Sequence, residues 1–159
     1  MRRFAPVLAA ALVCAPAAEA ELTFERANGE TTATGSPRVW CGPWSADVAT
    51  PALHVGTRSW HLGVVRADLR RGHAFTFPHS FVFDHPTGAE LFLADGRNEL
   101  STAGDDAGGR LFFRRVSCRP GRRLVFEADV ILDSEVAGPS VRMHGTFRGR
   151  VGRRTWPIP

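Results

Sequence analysis

Three kinds of side chain in this sequence have types that do chemistry: cysteines, histidines and a run of arginines. The stretch Arg38 to Asp47, RVWCGPWSAD, sets one cysteine in a tight Gly-Pro turn between two tryptophans. A redox cysteine needs a second sulfur on the same turn of helix, so that one sulfur resolves the mixed disulfide formed by the other. The position three residues after Cys41 is Trp44. The residues that follow, SADVATPALHV, have no amphipathic helical period.

The stretch resembles the WCGPC motif of thioredoxins at Trp40 to Pro43, and Trp44 stands where that motif places its second cysteine. Without a second sulfur, a helix or an alternating strand-helix pattern, the motif's chemistry does not carry over. Cys41 has a different partner available. Cys14 lies in a segment read below as a cleaved leader, which leaves Cys41 and Cys118. Two cysteines in an exported chain pair most simply as one structural disulfide. Trp40 and Trp44 then read as an aromatic cover at the edge of a core.

Six histidines, His54, His61, His73, His79, His85 and His144, are the potential metal ligands. None forms a His-x-His pair. Residues six apart on a strand lie about 20 Å apart, so His73, His79 and His85 cannot share one ion on a straight strand. Asp95, Glu99, Asp105 and Asp106 do not follow the spacing of a calcium loop. No metal site, cofactor or catalytic residue is therefore assigned, although a site assembled across strands stays open. The sequence has no G-x-S-x-G elbow, phosphate loop, dinucleotide fingerprint or H-E-x-x-H.

Arg142, His144, Arg148 and Arg150 alternate along one side of a single segment. Forked guanidiniums in a row suit phosphate, sulfate or carboxylate groups, so this stripe is a candidate anion-binding surface. The preceding segment carries Glu127, Asp129 and Asp133 at alternate positions, and pairing of these acids with the arginines across strands is the reading favoured over an anionic ligand. Phe75, Phe77, Phe81 and Phe83 share one face of HAFTFPHSFVFDH. They read as core, or as the lining of an apolar pocket.

The elements that must position these residues are strands. Period two dominates, as in SWHLGVVRADL and in SVRMHGTFRGRV, where Val141, Met143, Gly145 and Phe147 alternate with Arg142, His144, Thr146 and Arg148. Asn28-Gly29 predicts a hairpin with a two-residue turn, and Pro120-Gly121 predicts a type II turn. Residues 96–109, GRNELSTAGDDAGG, have the composition of a long loop, which a short strand at NELST would shorten. The predicted fold is all-β: an antiparallel sandwich or partly closed barrel of about seven to nine short strands.

Residues 1–20 read as a signal peptide, with Met1-Arg2-Arg3, an apolar run and Ala18-Glu19-Ala20 before a cleavage point at Glu21. Cys14 as a lipid-attachment site and Arg2-Arg3 as a twin-arginine signal are the variants of that reading. Residues 21–159 form the single predicted domain. All 20 basic residues of the chain are arginine, and the formal charge is +4. That balance does not call for nucleic acid, and no recognition motif is present. The function class that remains is an exported, non-enzymatic binding or scaffolding domain in the envelope or outside the cell. The sequence identifies no partner; the candidates are an anionic envelope polymer and, on the alternative reading, a small apolar ligand in a calycin-like barrel. A secreted enzyme is the third reading.

Overall fold

The computed structural model describes residues 19–33, 35–69, 74–78, 88–95, 98–134 and 138–153. The strands among them are β1 (Glu19–Arg26), β2 (Thr31–Ala33), β3 (Arg38–Pro43), β4 (Pro51–Gly56), β5 (Trp60–Val65), β6 (Ala74–Phe77), β7 (Ala89–Asp95), β8 (Asn98–Ser101), β9 (Gly108–Arg115), β10 (Arg123–Ser134) and β11 (Val141–Arg150). One 3₁₀ turn, Arg66–Asp68, is the helical element among the described residues. The eleven strands exceed the predicted seven to nine. β2 is too short, at three residues, to show a period. β4 is buried on both faces, so its sequence does not alternate.

Every strand pair is antiparallel, in the order β2-β1-β11-β10-β8-β7-β5-β4-β3, with β9 on β10 and β6 on β9. β10 directs the curvature. One edge pairs with β11 from Arg123 to Leu132. The other pairs with β9 from Val125 to Ile131 and then passes to β8 at Asp133 and Ser134. The sheet thereby curls into a half-barrel.

The concave side holds one apolar cluster. β10 contributes Leu124, Phe126, Ala128, Val130 and Leu132, the inward half of its alternation. Phe126 stacks on Phe147 with ring centroids 4.9 Å apart and meets Phe113 at 5.5 Å. Phe24 on β1 meets Trp60 on β5 edge-on at 6.0 Å, which joins distant parts of the sheet.

The turns explain the register. Between β1 and β2 the loop is Ala27-Asn28-Gly29. The Gly29 amide donates to Arg26 O, the Arg26 amide donates to Glu30 O, and Gly29 has φ of +78°. This corrects the two-residue turn: Asn28 keeps a negative φ, and the three-residue loop of a type I turn plus a left-handed glycine takes its place. Asn28 Oδ1 accepts from the Glu30 amide instead. At the other turn, Arg122 N donates to Arg119 O and Gly121 has φ of +79°, as a type II turn at Pro120-Gly121 requires.

The residues after β11 fasten a corner of the half-barrel. Gly121 N donates to Val151 O, Val151 N to Arg122 O, and Gly152 N to Val39 O on β3. At the other end of the chain, Glu19 and Ala20 pair with Arg148 and Phe147, so the predicted cleavage point falls within β1.

Candidate functional site

β3 runs through the stretch that first drew attention. Its alternation sends Val39 and Cys41 toward the core and Trp40 toward the opposite face. Cys41 and Cys118 stand at disulfide distance, with sulfurs 2.08 Å and Cα atoms 5.7 Å apart. Both pack against the core cluster. Beyond Pro43 the chain folds back, with Trp44 N donating to Thr50 O. The Trp44 ring then lies over Gly63 of β5, where an added Cβ would come within 3.0 Å of the indole.

On that opposite face two histidines meet. His54 stands opposite Trp40 on β3 and opposite Gly63 on β5. His61 stands opposite Gly56 on β4 and Phe92 on β7. Each imidazole faces a glycine across the β4–β5 ladder, which leaves room for the rings to meet diagonally. His54 Nδ1 and His61 Nε2 are 2.9 Å apart, and His54 Nε2 is 2.9 Å from Pro43 O. The Trp40 indole lies against both rings, at 5.1 and 5.7 Å between centroids. Trp44 approaches His54 at 6.5 Å.

The hydrogen bonds fix the tautomers. A carbonyl oxygen only accepts, so His54 Nε2 carries the proton that reaches Pro43. His54 Nδ1 is then the acceptor, and His61 Nε2 donates to it. A second proton on His54 would aim two N–H groups at each other. Burial pushes both imidazoles below their ordinary range, and His61, with His54 beside it as a further cause, is lowered to about 4. Both rings are neutral near pH 7. Their chemistry is that of a closed relay ending on a carbonyl, and His54 has no exposed surface. Glu90, also buried, stands opposite Gly63 on β7 and shares this face.

The arginine stripe predicted from sequence does fall on one exposed face, and each member has a partner there. Arg142 makes a forked contact with Asp129 at 2.7 and 3.0 Å. His144 Nε2 lies 3.5 Å from Glu25, and Arg148 lies 3.3 Å from Glu21. Arg150 donates to Gly121 O at 3.0 Å. Arg114 makes a similar forked contact with Glu127. These arginines hold the Asp129 and Glu127 carboxyls below the usual carboxylate range.

The predicted phenylalanine face is described in part. Phe75 and Phe77 belong to the core cluster, and Phe75 meets Phe113 edge-on at 5.9 Å. Phe81, Phe83, His73, His79 and His85 lie outside the described residues. Near the acidic loop, Asp133 Oδ2 accepts the Asp106 amide. Among the described residues no three His, Cys, Asp or Glu side chains gather as a metal site would require.

The histidine pair was not foreseen from the sequence, and a signal for it exists. His54-Val55-Gly56 and His61-Leu62-Gly63 are two H-x-G triplets. Laid antiparallel, they put a glycine opposite each histidine. No family model, curated protein or solved structure matches the chain.

Proposed function

We propose that the chain is an exported, non-enzymatic β domain that binds or scaffolds in the cell envelope or outside the cell. The observation that carries this reading is the pairing of Cys41 with Cys118, because structural disulfides persist in oxidising compartments. Two features support it. Residues 1–20 have the composition of an export signal, and among the described residues no helix is long and apolar enough to cross a membrane.

The non-enzymatic part rests on the histidines: the two that approach each other closely are turned onto one another and covered by Trp40. The finer architecture we favour is a partly closed barrel. It is supported by the passage of one edge of β10 from β9 to β8 and by the Gly152–Val39 hydrogen bond at the terminal strand β3.

The test is expression of the full chain in a bacterial host, followed by fractionation and intact mass measurement. The expected product lies outside the cytoplasm, begins at Glu21 and offers no alkylatable thiol until it is reduced. A cytoplasmic product that keeps residues 1–20 and two free thiols would defeat the reading.

A further inference from the structure

A cleft of about 510 Å³ opens beside the Cys41–Cys118 pair. Its lining combines the small apolar residues Pro43, Ala49, Pro51 and Ala52 with Arg66, Ser117 and Arg119. That volume lies in the range of clefts that take small organic molecules. We infer that this cleft is a binding site for a small organic anion, a carboxylate or phosphate carried on a compact apolar body.

The first argument is charge. Arg114, Arg142 and Arg148 each face a carboxylate on the sheet surface. Among the described residues Arg66 and Arg119 have no acidic partner, and none of the described residues lining the cleft is acidic. The nearest acid in sequence to Arg66 is Asp68, whose Oδ2 already accepts the Gly88 amide at 3.0 Å. The segment from Ala107 to Phe126, which supplies Ser117 and Arg119, contains six arginines and no acid. Two guanidiniums without a counter-charge among the described residues, set among small apolar side chains, match a ligand that carries an anionic group on a compact apolar body.

The second argument is preorganisation. Arg119 is fixed through its backbone: its amide donates to Ser117 Oγ at 3.1 Å and its carbonyl accepts from Arg122. Pro43 is held by His54, which donates to its carbonyl at 2.9 Å. The disulfide ties the strand that carries Pro43 to the segment that carries Arg119. The backbone that carries Pro43 and Arg119 is therefore set before a ligand arrives, which lowers the ordering cost of binding. The inference goes beyond the exported-scaffold reading, because the cleft would bind its ligand wherever the protein resides.

The experiment is a titration of the disulfide-bonded protein, followed through its backbone amide NMR spectrum, with phenyl phosphate, benzoate and neutral benzyl alcohol as probes. At least one of the two anions should give saturable shifts at Ala52, Ser117 and Arg119, and benzyl alcohol should give none there. Replacing both arginines, Arg66→Gln with Arg119→Gln, should weaken the anion about tenfold or more. Ala49→Trp, which fills the cleft from an exposed position without changing its charge, should also abolish the shifts. Arg142→Gln, on the other face, should leave them unchanged. The inference is overturned if neither anion shifts the cleft amides, if benzyl alcohol binds there equally well, or if binding survives the double arginine substitution in a folded protein.

Discussion

His61 donates from Nε2 to His54 Nδ1 across 2.9 Å, and this buried pair gives the protein a response to acid. Both imidazoles are neutral in the fold, His61 lowered to about 4 by burial first and by His54 second. In the unfolded chain each titrates near 6.5. Between those values the unfolded chain binds more protons, so stability is full above about pH 6.5 and declines as pH falls toward about 4. The His61 share is about 3 kcal/mol over that window. Urea midpoints at pH 7.5, 6.0 and 4.5 should fall in that order. His61→Gln, which keeps a donor for His54, should flatten the decline. Equal midpoints at all three pH values would refute the assignment.

Breaking the covalent link between Cys41 and Cys118 should cost much of the stability. The two residues are 77 positions apart, and closing a loop of that length in the unfolded chain is worth about 4–5 kcal/mol in the chain-entropy model. Thermal unfolding of Cys41→Ala/Cys118→Ala against the native protein measures this. A double variant as stable as the parent would show that the hydrogen bonds of that corner suffice without the bridge.

Gly63→Ala should destabilise through Trp44 alone. The new methyl would sit 3.0 to 3.1 Å from the indole edge, which must yield, at about 1–2 kcal/mol. In a Trp44→Phe background, where the second ring is absent, the same substitution should cost clearly less. A double-mutant cycle reads the difference, and perfect additivity would mean that the two residues do not touch.

Phe126→Ala should be far more damaging than any loss on the arginine face. Phe126 is fully buried between Phe113 and Phe147, so its truncation leaves a cavity costing about 3–5 kcal/mol. Arg142→Gln breaks a forked but exposed ion pair with Asp129, and exposed pairs contribute little. Denaturant midpoints should drop strongly for the first variant and hardly at all for the second. A large drop for Arg142→Gln would mean the charged face is structural.

The parts of the fold that could be read from sequence are those where burial is one-sided. β11 and β10 alternate because one face meets the core and the other meets water, and both stand out in the sequence for that reason. β4 does not, since His54 is buried on the face opposite Leu53 and Val55. The arginine stripe was legible as a face. Two of its three acids, Glu21 and Glu25, come from β1, and only the pairing of β1 with β11 reveals them. The histidine pair depends on register as well: His61 lies seven positions after His54, and the turn between β4 and β5 decides whether they meet. Local sequence sets faces, whereas meetings across strands depend on how many residues each turn takes.

The corner where Gly152 bonds Val39 has a consequence for how molecules of this protein behave toward one another. β3 ends the main strand order, and a bare terminal strand is a template on which a second chain can add. Here Val39 O is already taken by Gly152 N, and Cys118 is tethered beside the strand at Cys41. The fastening that completes the half-barrel therefore also guards against self-association. Loosening it by reduction, or by removing residues 151–153, exposes a strand edge, and concentrated solutions of such a protein should form β-rich aggregates that the intact chain does not.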